Sequence, residues 1–212
     1  MCGRFYVADD EQNELLAALI REASRRQQAL TGQVSIATGE VLPSATVAAL
    51  ARGKSGGEAA FPMQWGFHLE GKRGLLINTR SETALQKPLF RASMLERRCL
   101  IPASWYYEWE TRDGQQSLLD APAPARNARK VKYAIRPKQA GLMYLAGIYR
   151  YEAESPLPVF SILTREAAPG IAFIHPRMPV IFLEEHCAQW LHRDADPERV
   201  LAVCQTEMTA KA

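Results

Sequence analysis

The sequence predicts an α+β fold: a single domain over residues 1–212, built on a largely antiparallel sheet or open barrel with short flanking helices. Two observations lead there. Strand-like and short helical stretches alternate irregularly along the chain, without a β–α–β rhythm or an internal repeat. The run Trp105-Tyr106-Tyr107-Glu108-Trp109-Glu110 also has the period of two expected of a strand whose faces differ. At 212 residues the chain can bury a core without metal or disulfide staples.

Taken in order, residues 9–30 predict a helix. Leu15, Leu16, Leu19 and Ile20 recur at helical spacing, and Asp9 and Asp10 are candidate caps. Residues 32–50, with Pro43, read as strand and loop. Gly53-Lys54-Ser55-Gly56-Gly57 reads as a turn; its glycine spacing is wrong for a phosphate-binding loop. Strands are expected at 61–67 and 74–77, short helices at 80–85 and 87–97, and strands at 99–101 and 105–110. Residues 112–130, with Pro122, Pro124 and several alanines, read as an exposed insertion loop. Strands follow near 131–136, 142–150 and 158–164. A short helix or turn begins at 167–171, and another strand covers 179–182. Helices near 184–191 and 197–204 close the chain.

The net charge of +3 points only weakly to an anionic partner. The distribution says more: Arg126, Arg129, Lys130, Lys132, Arg136, Lys138 and Arg150 fall in a stretch without acids, which suits either phosphates or solvent. The cysteines are Cys2, Cys99, Cys187 and Cys204. None forms a CxxC pair, so neither zinc nor dithiol redox chemistry is indicated. His186, Cys187 and His192 share a helical segment with Trp190 and Leu191 and read as an amphipathic helix, so no metal is expected. Neither a secretory segment nor an apolar run of membrane length is present, which implies a cytoplasmic protein with free thiols and no membrane partner.

Cys2 stands out chemically. Trimming of Met1 ahead of a small residue leaves Cys2 with a free α-amine as well as its thiol. The amine can condense with an aldehyde to a Schiff base, and the thiol can then close a five-membered thiazolidine ring. The ring-opened sugar of an abasic site is such an aldehyde. Position alone equally suits an unremarkable cysteine at a frayed terminus.

The surrounding blocks decide between these. The chain carries Met1-Cys2-Gly3-Arg4-Phe5, Trp65-Gly66-Phe67, Asn78-Thr79-Arg80-Ser81-Glu82-Thr83 and Pro88-Leu89-Phe90-Arg91. It continues with Arg98-Cys99-Leu100-Ile101-Pro102-Ala103, Tyr107-Glu108-Trp109, Ala146-Gly147-Ile148-Tyr149, Ile162-Leu163-Thr164 and His175-Pro176-Arg177-Met178-Pro179-Val180. In this order and spacing the set resembles the SOS response-associated peptidase (SRAP) family over nearly the whole chain. It departs from the family at Asn78-Thr79-Arg80, where most members carry an Asn-Ala-Arg-type triplet, and at Val41-Leu42-Pro43-Ser44-Ala45.

The resemblance implies an abasic-site sensor and repair enzyme that works without a cofactor, as a monomer, on single-stranded DNA containing abasic sites. It would shield the lesion in a covalent crosslink, reverse it slowly and remove its own Met1, combining lyase and autopeptidase activities. Cys2 is then the nucleophile, with Asn78, Glu108 and His175 as catalytic partners. Arg4, Arg80, Arg91 and Arg177 become phosphate contacts, with Trp65 and Thr164 on the same DNA-binding surface.

Each residue type suits its role. A carboxyl beside aromatic rings, like an imidazole, can relay protons. An amide offers donor and acceptor, and a guanidinium pairs phosphate bidentately without reading sequence. Trp65 can either stack on a base or pack in the core. Two other functions fit parts of the pattern: a thiol peptidase using Cys2 and His175 on other proteins, or a non-catalytic nucleic-acid-binding module.

Overall fold

The computed structural model describes residues 2–8, 13–54, 56–71, 73–112, 129–139 and 141–212. Most of the expected insertion loop, 112–130, lies outside the described residues, as do Met1, Asp9 and Asp10.

The first strand, β1 (Phe5–Val7), is followed by helix α1 (Glu14–Thr31). Asn13 caps α1 by accepting the Leu16 N–H at 3.0 Å. The helix stops at Gly32, whose left-handed conformation (φ 71°) lets its N–H reach the Gln28 carbonyl. Leu16, Leu19, Ala23 and Gln27 form the buried stripe, spaced three or four residues apart. Next come β2 (Gly39–Val41), β3 (Thr46–Arg52) and β4 (Glu58–Trp65), the last two joined by the 53–57 turn.

Short strands β5 (Phe67–His68), β6 (Leu75–Leu76) and β7 (Asn78–Arg80) lead to helices α2 (Ser81–Ala84) and α3 (Pro88–Glu96). Asn78 therefore lies in a strand and not in the turn its residue type suggests. The Trp65-Gly66-Phe67 block needs its glycine: at φ 118° a Cβ would sit 2.7 Å from the Leu75 Cβ.

The long strands β8 (Arg98–Ala103), β9 (Trp105–Arg112), β10 (Arg129–Pro137), β11 (Met143–Arg150) and β12 (Val159–Glu166) form the body of the molecule. The segment expected to begin a short helix or turn at 167–171 takes the second form, a series of turns. The strand expected at 179–182 is split at Val180 into β13 (Arg177–Pro179) and β14 (Ile181–Phe182). Helices α4 (Glu184–Leu191) and α5 (Pro197–Leu201) and strand β15 (Met208–Lys211) complete the chain. Arg98 anchors α4: its buried guanidinium donates to the carbonyls of Trp190 at 2.7 Å, Met94 at 3.1 Å and His192.

The strands form two main sheets. One runs β15-β10-β9-β1-β2 and is antiparallel throughout. In the other, β12-β4-β3-β8-β11 closes on itself because β11 also pairs with β12, so the expected open barrel is a closed ring here. Closure uses a parallel pairing, Val159 with Gln64 and Phe160 with Trp65, and β7 also runs parallel to β12. The fold is the expected mixed α+β class, with these parallel contacts as exceptions to a largely antiparallel plan. One core cluster spans both sheets and contains Cys2, Phe5, Trp65, Tyr106, Ile162 and Ile174. Among the described residues no helix is long and apolar enough to cross a membrane.

Candidate active site

Residue 2 enters the core because the next residues pair as a strand. Phe5 sits opposite both Val41 and Tyr106, and the Tyr107 N–H donates to the Arg4 carbonyl at 2.8 Å. That pairing fixes the backbone just before β1 against β9. Cys2 is fully buried, and its Sγ lies 3.8 Å from the Arg4 carbonyl. Asn78 reaches across from β7, its Nδ2 donating to the Cys2 carbonyl at 2.8 Å. The other amide atom, Oδ1, is buried without a hydrogen-bond partner among the described residues.

Glu108 is buried at 7% exposure, on the inward face of β9 that it shares with Tyr106, as strand alternation requires. Its Oε1 accepts the Trp109 N–H at 3.3 Å. Burial pushes the Cys2 thiol up to about 12. The Arg4 carbonyl contact opposes that shift, and the Glu108 charge adds to it. Tyr106 is pushed well above its ordinary value, by burial first and then by the Cys2 and Glu108 charges. The phenol is thus a third proton-bearing group in the Cys2–Glu108 neighbourhood. The period of two in β9 places it on that face, but nothing in the sequence marks it as more than core.

His175 lies in the turn before β13, where its Nδ1 accepts the Arg177 N–H at 3.0 Å. The turn packs through Ile171 and Ile174 into the core cluster that holds Cys2. Arg177 spans to α2, donating to both Glu82 carboxylate oxygens at 2.6 and 2.9 Å and to the Thr164 carbonyl at 2.7 Å. That partnership holds the Glu82 carboxyl below its ordinary range, chiefly through the Arg177 hydrogen bond. Glu82 lies inside a block singled out from sequence, yet its pairing with Arg177 was not legible there.

Arg4 ion-pairs with Glu40 and lies over the Trp109 ring at 5.2 Å. Arg80 and Arg91 are exposed and make no ion pair among the described residues. Of the four arginines these two are the freest to meet an anion.

Two expected DNA contacts are instead interior. Trp65 is fully buried, packed on Phe5 (ring centroids 5.0 Å apart) and Phe160 (6.3 Å), with its indole N–H donating to Ile77 at 3.0 Å. It has no face left for a base, so of the two sequence alternatives core packing applies. Thr164 is also fully buried and supports Arg177 through its carbonyl. Trp65→Ala is therefore expected to cost about 3–5 kcal/mol of folding stability, read from urea unfolding. A loss below 1 kcal/mol with weakened DNA binding would instead return the ring to the surface.

Comparison with known proteins follows the same lines. The family model described as SOS response associated peptidase (SRAP) matches residues 1–212. The abasic site processing protein YoaM of Bacillus subtilis is 32% identical over 120 residues, covering 55% of this chain and 47% of the relative. The abasic site processing protein HMCES of Gallus gallus is 30% identical over 132 residues, covering 58% and 39%. The aligned region thus spans about half or less of these curated relatives. A crystal structure of a Bacteroides thetaiotaomicron protein superposes with a TM-score of 0.72 over 99% of this chain and 90% of that one, at 19% identity, which supports the fold.

Proposed function

Because this chain belongs to the SOS response associated peptidase family, we propose that it processes abasic sites in DNA by forming a covalent bond through Cys2. The observation that carries this is the enclosure of Cys2, with Asn78 on its carbonyl and the Glu108 carboxyl close enough to influence its thiol.

The reaction begins once removal of Met1 by hydrolysis has freed the Cys2 α-amine. The amine nitrogen attacks the C1′ aldehyde of the ring-opened sugar, and loss of water gives an imine. The Cys2 sulfur then adds to the imine carbon, closing the thiazolidine, and the thiol proton passes to the ring nitrogen. Amine, thiol and aldehyde are thereby converted to one ring and one water. A thiol near 12 holds only roughly one part in 10⁵ as thiolate at neutral pH, so ring closure needs an acceptor for that proton. In this reading Glu108 takes it and returns it to nitrogen. Asn78 holds the Cys2 carbonyl and leaves Oδ1 to orient the α-amine. His175 supplies a proton when the bond reverses.

The raised thiol weighs against a thiol peptidase acting on other proteins, since such enzymes attack with a thiol whose pKa is lowered. A denaturing gel separates the two functions. Protein mixed with an abasic single strand should give a slow-migrating adduct, and the undamaged strand should give none. Cleavage of unrelated peptides without any adduct would favour the peptidase instead.

Strand binding falls to Arg80 and Arg91. Arg80→Ala and Arg91→Ala should each weaken binding to single strands of any sequence and reduce the log–log salt slope by ~0.7 per lost phosphate contact. Wild-type slopes in both variants would make these arginines structural.

A further inference from the structure

Strands β3 and β4 pair from Thr46–Gln64 at one end to Arg52–Glu58 at the other. The first end adjoins Trp65, Phe5 and the core around Cys2. The second opens into a separate cleft of about 820 Å³, between α1, the β3–β4 turn, the start of β8 and the end of β11. That size falls within the ~300–1,000 Å³ of small-molecule sites.

Five cations line the cleft, Arg26, Arg52, Lys54, Arg97 and Arg193, against three carboxylates, Glu22, Glu58 and Glu96, an excess of two positive charges. Arg26 belongs to the wall: it donates to Glu22 at 2.7 Å and lies over the Phe61 ring at 4.6 Å. Arg52, Lys54 and Arg193 make no ion pair among the described residues. Arg97 meets only its exposed neighbour Glu96, at 3.4 Å, and its Nε is buried without a hydrogen-bond partner among the described residues. Backbone contacts fix these groups. The Tyr149 N–H donates to the Arg97 carbonyl at 2.9 Å, and the Arg98 guanidinium donates to the Arg193 carbonyl at 3.4 Å. Burial pushes the Tyr149 phenol up to about 12, and the Arg193 and Arg97 charges oppose that shift, so a protonated hydroxyl stands near both guanidinium groups. Tyr151 lies edge-on to Tyr149, ring centroids 6.1 Å apart, and is 73% exposed at the rim.

We propose that this cleft binds a free nucleoside monophosphate, its phosphate on Arg97, Arg193 and the Tyr149 hydroxyl and its base against Tyr151. Nothing in the proposal depends on the bond at Cys2 or on the processing of abasic sites.

Charge and shape select this ligand. A phosphate monoester carries close to two negative charges at neutral pH, which matches the excess, whereas a backbone phosphodiester carries one. Guanidinium groups pair with phosphate oxygens bidentately, and a hydroxyl adds a further donor. Inorganic phosphate would satisfy the cations and leave the Tyr151 ring in water; a stacked base covers it. The 5′-phosphorylated end of a strand presents the same chemistry, so the test must tell the two sources apart.

The test is isothermal titration of the full chain with adenosine 5′-monophosphate. Adenosine, inorganic phosphate and a dinucleotide joined by one phosphodiester should each bind at least about ten-fold more weakly, the usual worth of one charged hydrogen bond or one stacked base. Arg193→Gln should weaken nucleotide binding about ten- to a hundred-fold. Tyr151→Ala should weaken it about ten-fold, and Tyr151→Phe, which keeps the ring, should recover most of that loss. Both side chains are exposed, so these variants should fold as the native protein does. Crosslinking of abasic strands by Arg193→Gln and Tyr151→Ala should match the native yield.

No binding of adenosine 5′-monophosphate at ~1 mM would overturn the proposal. So would equal binding of adenosine or of phosphate, unchanged affinity in Arg193→Gln, or tighter binding of a 5′-phosphorylated oligonucleotide that Arg193→Gln abolishes. Loss of crosslinking in these variants would make the cleft part of the DNA path and overturn it as well. If abasic strands are crosslinked normally and no nucleotide binds, the cleft proposal falls and the abasic-site function stands. If the nucleotide binds as expected and no adduct ever forms, the cleft stands and the abasic-site function falls.

Discussion

Cys2→Ala is expected to form no denaturation-resistant adduct with abasic single strands while binding them with near-native affinity. The variant keeps an α-amine at residue 2 once Met1 is gone, so it can still form an imine, but without sulfur the ring cannot close. An imine hydrolyses when the protein is denatured, whereas a thiazolidine gains a second covalent bond to the same carbon. Adding borohydride during the incubation should therefore restore a trapped product in Cys2→Ala. Binding should survive because the proposed phosphate contacts come from other side chains, Arg80 and Arg91 above all. An adduct at native yield in this variant, without reductant, would remove Cys2 from the reaction.

Glu108 and His175 should separate capture from release. Glu108→Gln keeps size and hydrogen-bonding capacity but cannot accept a proton. With the thiol pushed up to about 12, the loss of its proton acceptor should slow adduct formation ~10²–10⁴-fold, the usual worth of a general base. Capture should not vanish, because an aminothiol condenses with aldehydes unaided. His175→Ala should slow reversal more than formation, since reopening the ring requires a proton on the departing atom. Two time courses resolve this: adduct growth, and transfer of protein from a labelled abasic strand to an unlabelled competitor. Equal slowing of both courses by both variants would indicate a shared structural role. Unchanged courses in His175→Ala would exclude that residue from the mechanism.

Much of the fold could be read from the sequence because its long strands announce themselves. The alternation from Trp105 to Glu110 separates Tyr106, Glu108 and Glu110 from the rings of Trp105, Tyr107 and Trp109, and burial follows that division at Tyr106 and Glu108. The edges were less legible. β1 and β15 are only three and four residues long, too short for periodicity to register, although β1 is what draws Cys2 into the core. The expected caps Asp9 and Asp10 lie outside the described residues, and α1 is capped instead by Asn13, beginning at Glu14, one residue before its apolar pattern starts at Leu15. Ring closure through Phe160 and Trp65 depends on a long-range parallel pairing that has no local signature.

The site was legible as residue types but not as partnerships. Asn78 reaches the Cys2 carbonyl from another strand, and the Glu108 charge is felt at the Cys2 thiol from a third. Trp65 illustrates the limit: an indole beside Gly66 suits a base or a core equally well until Phe5 and Phe160 are seen to enclose it. Likewise nothing in the spacing of Glu82 and Arg177, or of Glu40 and Lys132, foretells that they meet.

The central claim is that Cys2 closes a ring on the abasic sugar, and intact-mass spectrometry of the adduct tests it most directly. Protein lacking Met1, incubated with an abasic single-stranded oligonucleotide, should give a product equal to the two masses combined less one water. Treatment with borohydride should leave that mass unchanged, since a thiazolidine has no reducible carbon–nitrogen double bond, and digestion should place the modification on the N-terminal peptide that begins with Cys2. A product that gains two hydrogens on reduction, or one attached to any other residue, would contradict the account.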